Sequence, residues 1–266
     1  MTSLPTVLNV YKRRGETPLE CLKRLQAAAP ELQGQALTYA GRLDPLAEGV
    51  LLVLVGEEAK RKDVYLTLRK SYRVEVLFGF STDTYDLAGK LTDVKDGRVQ
   101  MVSLMEAIGR LPGTFEQKYP PYSSKTVDGK PLFMWAREGR LEDITIPGHV
   151  VTVYESILRH SETISGEDLW KQIQRSLYLL TGDFRQEEIS NCWREYIGSR
   201  YERLFDVATL EVTASSGTYM RALAHELGRA LGIPALAYSI VRTSVGTYTL
   251  EDSLKHFEEV RPGSLA

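Results

Sequence analysis

The chain has 266 residues, 43% of them hydrophobic and 26% charged, with a formal net charge of −2 at pH 7. That is enough apolar material for one large domain or two small ones, and no repeat or low-complexity tract interrupts it. The longest apolar run, Val50–Val55, is strand-sized and Met1–Pro5 does not lead into a signal-peptide pattern, so the sequence predicts a cytoplasmic protein without a membrane-spanning helix. Cys21 and Cys192 are the only cysteines, and His149, His160, His225 and His256 are scattered, so no zinc-like spacing can be assembled. This weighs against a zinc nucleobase deaminase and leaves the chemistry to carboxylates, tyrosines and basic side chains.

In chain order, Thr17 is a helix N-cap with Pro18 at the first helical position, and Leu19, Leu22 and Leu25 step round one face, which predicts a helix over 17–29. Val50–Val55 after Gly49 predicts a buried strand. Residues 72–78 alternate, with Tyr72, Val74 and Val76 on one face and Arg73, Glu75 and Leu77 on the other, which predicts another. A short helix is predicted over 103–110, closed by Leu111-Pro112-Gly113. Pro120-Pro121 forces an extended segment. A further helix over 130–138 would carry Leu132, Trp135 and Ala136 on one face.

Strands at 150–154 and 204–213 enclose a stretch of different character. Ser165 with Asp168 three residues later resembles a capping box in which a shorter acid replaces Glu. Leu169, Ile173, Leu177 and Leu180 then recur at helical spacing, and a second helix over 186–197 turns Ile189, Cys192, Trp193 and Tyr196 inward. The pair reads as a helical insertion at about 160–204 that packs on the sheet. After Gly217, Met220, Leu223, Leu227 and Leu231 line one face of an amphipathic helix, and 238–248 is strand-like. Neither a Gly-x-Gly-x-x-Gly nor a Gly-x-x-x-x-Gly-Lys-[Ser/Thr] loop is present, so the reading is α+β with a mixed, largely antiparallel sheet. One domain would span 1–253, with 254–266 a short tail.

Charge is unevenly spread. Between residues 60 and 73 stand Lys60, Arg61, Lys62, Arg69, Lys70 and Arg73 against the single acid Asp63, a run that could hold several phosphates or simply form a solvated face. The densest chemical signal lies at 39–51. Taken alone, Asp44-Pro45 is a helix N-cap with Pro at N1. Gly49 follows so soon that any such helix would be a single turn, which leaves a second reading: a carboxylate held in a tight, glycine-flanked loop before a buried strand, a plausible catalytic placement.

Gly41-Arg42-Leu43-Asp44-Pro45-Leu46-Ala47-Glu48-Gly49-Val50-Leu51 resembles the signature of the TruB family of pseudouridine synthases. Four further segments match in the family's order: Lys70-Ser71-Tyr72-Arg73-Val74, Thr82-Asp83-Thr84-Tyr85-Asp86-Leu87-Ala88-Gly89, Pro121-Tyr122-Ser123-Ser124-Lys125 with Gly129-Lys130, and Ser216-Gly217-Thr218-Tyr219-Met220-Arg221. The resemblance spans about residues 8–250, broken by the helical insertion. It implies the pseudouridine synthase fold, a mixed sheet flanked by helices with an active-site cleft. It also implies a monomeric enzyme that acts on structured RNA, most often the T-arm of tRNA at position 55, with neither metal nor cofactor.

By the same resemblance Asp44 starts glycosidic cleavage, Tyr72 stacks on the uracil and assists removal of the C5 proton, and Arg221 pairs with Asp44. An arginine in a helix's first turn faces the positive end of the macrodipole and wants a compensating anion. Tyr39, Arg42, Leu43, Tyr219 and Ile240 fall at positions that contact the flipped base or its surroundings, and Lys60 and Lys125 at positions suited to the RNA backbone. Tyr39 stands where the family has a histidine, Arg42 where it has a small residue, Arg13 where it has a proline and Ile240 where it has leucine. Many relatives continue into an RNA-binding PUA domain, which the resemblance does not reach here. These departures bear on target choice. The alternatives are a synthase for another tRNA or rRNA site, and an RNA-folding chaperone on the same scaffold.

Overall fold

The computed structural model describes residues 6–255, so most of the expected C-terminal tail lies outside the described residues. Strand β1 (Val7–Lys12) alternates half-buried and buried side chains, as a strand with one face on a core must. Helix α1 (Pro18–Ala28) begins where its caps dictate: Thr17 Oγ1 accepts the Glu20 N–H at 3.2 Å while the Glu20 carboxylate accepts the Thr17 N–H at 2.6 Å. Its buried face is Pro18, Cys21, Leu22 and Leu25, so Leu19, expected inward, stands 53% exposed. The apolar stripe starts one position earlier than the leucines alone suggest. Strand β2 (Leu37–Ala40) precedes β3 (Ala47–Val55), which starts at Ala47 rather than Val50.

The short helix α2 (Lys62–Leu66) leads to β4 (Lys70–Phe78), then β5 (Phe80–Thr82) and β6 (Leu91–Val94). Helix α3 (Met101–Gly109) buries Leu104 and Ile108. Next come β7 (Gly113–Lys118), β8 (Thr126–Val127), β9 (Lys130–Pro131) and α4 (Leu132–Arg137). The helix expected from Lys130 thus starts at Leu132, because Lys130 and Pro131 pair with β8 instead. Strand β10 (Gly148–Ser165) is followed by α5 (Gly166–Leu179), α6 (Gln186–Ile197), β11 (Leu204–Ala214), α7 (Met220–Leu231), β12 (Ala235–Val245) and β13 (Tyr248–Thr249). No described helix is long and apolar enough to cross a membrane.

The chain divides into two compact units, with the divisions inside β4, between Tyr72 and Arg73, and inside β12, between Ile240 and Val241. Among the described residues, the first unit comprises those up to Tyr72, Leu179–Thr181 and those from Val241 on. Its sheet has the order β1-β3-β12, with β2 also on β3 and β13 on β12. Antiparallel registers such as Val10↔Leu51 and Thr38↔Leu54 make β3 its centre. Leu51 and Val53 face a cluster with Leu8, Cys21, Leu25 and Leu32, whereas Val50, Leu52 and Leu54 face Ala40 and Val245. Burial on both faces explains why β3 reads as an unbroken apolar run.

The second unit holds Arg73–Tyr178 and Gly182–Ile240, with strand order β12-β4-β11-β10-β7. Met220, Leu223, Ala224 and Leu227 of α7 lie against Val74 and Val76 of β4 and Leu210 and Val212 of β11. The pairings of β10 with β7 and β11 are antiparallel. Strand β10 runs far past the expected 150–154: residues 155–165 are largely polar and lack a clean alternation, yet they pair with β11 from Thr213 to Leu204. Ser165 Oγ accepts the Asp168 N–H at 3.1 Å and starts α5 as the capping pattern predicts. Helix α6 packs on the two-stranded β5–β6 sheet: the Trp193 ring lies 5.1 Å from that of Phe80, and its indole N–H donates to Gly89 O at 3.0 Å.

Candidate active site

The Asp44 loop lies in the first unit and is a turn rather than a helix. The Ala47 N–H donates to Asp44 O at 3.0 Å and Pro45 pre-sets the turn. Two glycines make it possible. Gly41 has φ +81°, and a Cβ there would meet Lys70 Cε at 3.4 Å and Arg242 Nη1 at 3.6 Å. Gly49 has φ +108°, and its Cβ would stand 2.9 Å from the Arg242 backbone N and closer still to its carbonyl oxygen. Leu43 and Leu46 are buried on either side of Asp44.

Buried cations hold the main chain here. The Lys12 ammonium, fully buried, donates to the carbonyls of Arg13, Pro45 and Ala47 at 3.1, 3.3 and 2.5 Å. Burial lowers its pKa to about 8, while the charges of Glu16 and Asp44 push the other way. Arg242, 1% exposed, donates from Nε to Val50 O at 2.7 Å, from Nη1 to Arg42 O at 3.2 Å and from Nη2 to Gly41 O at 3.4 Å. Its guanidinium also bonds the Tyr72 side chain. Burial pushes the Tyr72 phenol up, the Arg242 charge and hydrogen bond oppose this, and the Asp44 charge adds to it. Lys70 donates to Leu66 O and Leu68 O at 3.0 and 2.7 Å, and burial lowers its pKa to about 8. The Asp44 charge therefore acts on both Lys12 and Tyr72.

Lys12 precedes the Arg13 that stands at a family proline and was given no role of its own from sequence, and Lys70 was legible as one charge in a basic run and as the first residue of the Lys70–Val74 match. Arg242 was missed altogether. Its signal was a charge in phase with Ile240 on an alternating strand, on a face that proves buried. Of the remaining first-unit candidates, Arg42 is exposed and Tyr39 is partly buried with the Lys62 ammonium 5.3 Å from its ring centre. Lys60 is exposed and paired with Glu57 at 2.7 Å.

Arg221, Tyr219, Ile240 and Lys125 belong to the second unit. Arg221 sits in the first turn of α7 at 3% exposure, which rules out a surface arginine; Glu226 pairs instead with Arg229. Its Nη1 donates to Thr84 O at 2.6 Å, its Nη2 to Tyr122 O at 3.1 Å, and its Nε lies 3.8 Å from Asp86 Oδ2. Asp86 is in turn held by the Thr84 hydroxyl at 2.6 Å and the Ala88 N–H at 2.9 Å. The Thr82–Asp86 segment, read from sequence only as a motif match, is thus the seat of Arg221. Asp86 supplies an anion near the helix N-terminus that sequence reasoning assigned to Asp44 alone.

Tyr219 is the N-cap residue of α7, its N–H donating to Gln117 Oε1 at 2.8 Å and its carbonyl accepting from Gln117 Nε2 at 3.2 Å. Its ring meets that of Tyr119 edge-on at 5.7 Å, and Tyr119 stacks on His149 at 4.3 Å. The Lys125 ammonium lies 5.3 Å from the Tyr119 ring centre. Ile240 is 8% exposed.

The model of the TruB family pseudouridylate synthase (N terminal domain) matches residues 31–167. The tRNA pseudouridine synthase B of Bacillus anthracis is 30% identical over 256 residues, covering 96% of this chain and 70% of that protein. That of Caldanaerobacter subterraneus subsp. tengcongensis is 31% identical over 265 residues, covering 98% and 75%. Among solved structures, a Cbf5-Nop10-Gar1 complex contains a chain that resembles this one with a TM-score of 0.60 at 17% identity. The match covers 96% of this chain and 53% of that one, so this chain spans about half its length, and the likeness is one of fold. The protein is an isomerase with the pseudouridine synthase fold. It belongs to the TruB family of pseudouridylate synthases.

Proposed function

We propose that this enzyme, acting as a monomer in the cytoplasm, converts the T-loop uridine at position 55 of tRNA to pseudouridine, with Asp44 as the group that starts the reaction. The N1–C1′ bond breaks, the uracil turns, a C5–C1′ bond forms, the proton leaves C5 and N1 takes one up, so substrate and product are isomers and no co-reactant is consumed. An aspartate suits the first step, because a carboxylate is the form that an ordinary Asp takes at neutral pH. Tyr72 would stack on the uracil and assist loss of the C5 proton. Arg221 would serve as the counter-ion of Asp44, and Tyr39, Arg42, Leu43, Tyr219 and Ile240 would surround the flipped base. Stacking worth about 1–3 kcal/mol per base would offset part of the cost of extrusion. Lys60 and Lys125 would hold phosphates and set the position of the RNA without reading its sequence.

The observation that carries this reading is the Asp44 loop, whose main chain is fixed by two fully buried cations while the Asp44 charge acts on both Lys12 and Tyr72. The tRNA target rests on the names of the relatives, tRNA pseudouridine synthase B. The test is nucleotide-resolution mapping of pseudouridine in an unmodified tRNA transcript, with Asp44→Asn beside the wild type. The expected result is modification at the T-loop uridine, lowered by about 10²–10⁴-fold or more in the variant. Modification only at another tRNA or rRNA site would move the target. Tight binding without any pseudouridine would favour an RNA chaperone.

A further inference from the structure

The helical segment between β10 and β11 carries a half-buried arginine that the roles above leave unused. Arg185, the residue before α6, has φ +60° and ψ +31°, a left-handed conformation that non-glycine residues rarely hold. Helix N-caps ordinarily take extended backbone instead. What the side chain does there is specific. Nη1 donates to Asp83 Oδ2 at 2.6 Å and Nη2 to Asp83 Oδ1 at 3.2 Å, a forked pair. The guanidinium carbon lies 4.3 Å from the Tyr122 ring centre, and the Arg185 side chain is 14% exposed.

The two residues that Arg185 holds flank the seat of Arg221. Asp83 precedes Thr84, whose carbonyl accepts from Arg221 Nη1, and the Tyr122 carbonyl accepts from Arg221 Nη2. Asp83 Oδ1 also accepts the Lys90 N–H at 2.9 Å, closing the 83–90 loop. Helix α6 grips the same loop twice more, through the Glu188–Lys90 ion pair and the Trp193 bond to Gly89 O. The backbone before α6 is itself fixed: the Arg185 N–H donates to Asp183 Oδ1 at 3.2 Å, and Asp183 is paired with Arg137.

We propose that Arg185 is a positioning residue: by holding Asp83 and Tyr122 it fixes the two carbonyls that aim Arg221, and it thereby couples the helical segment to RNA modification. The activity arm of this inference rests on the role of Arg221 proposed above; the placement of Arg221 can be read without it.

Two substitutions separate positioning from folding. Arg185→Gly removes the guanidinium while relieving the left-handed backbone, and Arg185→Lys keeps the charge without the fork. The expected result for Arg185→Gly is a melting temperature within a few degrees of wild type, a single-turnover rate on tRNA lowered about tenfold and a KM changed less than about twofold. Arg185→Lys should fall between. In an Arg221→Lys background, adding Arg185→Gly should cost less than about twofold, because the two residues act as a unit. Independently of activity, the Arg221 Nε–H resonance in ¹H–¹⁵N spectra should shift and exchange faster in Arg185→Gly. An unmoved Arg221 resonance, or a loss that simply multiplies in the Arg221→Lys background, would overturn the proposal. A wild type that forms no pseudouridine would remove the functional reading instead, and the Arg221 resonance would then decide the role of Arg185 alone.

Discussion

Replacing Lys12 with methionine tests how the Asp44 loop is held. Methionine nearly matches the lysine stem, so the change removes the ammonium without opening a large cavity. Two effects then oppose each other. The ammonium's short bond to Ala47 O, 2.5 Å, is lost, and a hydrogen bond from a charged donor contributes about 1.5–3 kcal/mol. The Pro45 carbonyl keeps its bond from the Gly15 N–H at 2.8 Å. Against that loss, burial lowers the Lys12 pKa from 10.5 to about 8, which at roughly 1.4 kcal/mol per pH unit means a penalty on the order of 3 kcal/mol for keeping the charge inside. The expected stability of Lys12→Met in urea is therefore within about 2 kcal/mol of wild type. The rate should respond far more, because a freed Ala47 carbonyl lets the 44–47 turn drift, and a misplacement of about 1 Å can cost on the order of 10²-fold. The sign with pH follows from the lowered pKa. Between about 8 and 10.5 the unfolded chain holds the Lys12 proton and the folded chain does not, so wild-type stability rises with pH once it passes 8. Below pH 8 the penalty is fully present. Lys12→Met should flatten its part of that rise, and Lys70, also lowered to about 8, should supply the rest. A loss above about 4 kcal/mol with an unchanged single-turnover rate would show that Lys12 only supports the fold, and the reasoning would fail.

Gly49→Ala combines a positive φ with a Cβ pressed against the Arg242 backbone, which cannot give as a side-chain tip can, so urea unfolding should show a loss of about 2–5 kcal/mol. A loss below about 1 kcal/mol would contradict the geometry. Tyr72→Phe removes the hydroxyl that bonds the Arg242 guanidinium, and should lower the single-turnover rate about 10²-fold while destabilising the fold by about 1–3 kcal/mol. Lys125→Ala should weaken tRNA binding and reduce the slope of log K against log salt by about 1, measured by filter binding, with the rate at saturating enzyme unchanged.

Local signals were legible where one physical cause dominates. Thr17 and Ser165 announced the starts of α1 and α5 because capping is a contact within four residues, and α6 was placed at its observed bounds because Ile189 and Trp193 repeat at helical spacing. The far half of β10 was not legible. Its residues pair with β11 through the backbone, and side-chain links such as Arg159 to Glu211 at 2.6 Å replace the apolar alternation that would mark a half-buried strand. The basic run at 60–73 misled in one respect, since counting charge cannot distinguish exposed Lys60 from Lys70, which is 3% exposed. Among the candidate site residues, Asp44, Tyr72 and Arg221 came from motif resemblance. Thr84 and Tyr122 lay inside matched motifs, but their main-chain carbonyls had no role there, and Arg242 was missed because its side chain donates to carbonyls far away in the chain.

That division has a physical root in the loops themselves. An irregular segment that passes through an interior carries carbonyl groups without a ladder to accept into, and each must still be satisfied. Arginine brings five donors and lysine three, with no acceptor of their own, so one buried cation can satisfy several such carbonyls at once. Lys12 and Arg242 do this for Gly41, Arg42 and Pro45 and also reach Ala47 and Val50 at the start of β3, and Arg221 does it for Thr84 and Tyr122. The cost is desolvation, visible in the lowered pKa values of Lys12, Lys70 and Arg242. Under the role proposed for Asp44, the return would be functional as well as structural. Cations held by carbonyls of their own fold place a positive potential at the loop that carries Asp44. Such a potential would favour negative charge on the group that starts the proposed reaction. Anchoring the loop through its backbone also means that the side chain at position 44 can be changed without removing those anchors, which is what makes Asp44→Asn a test of chemistry rather than of folding.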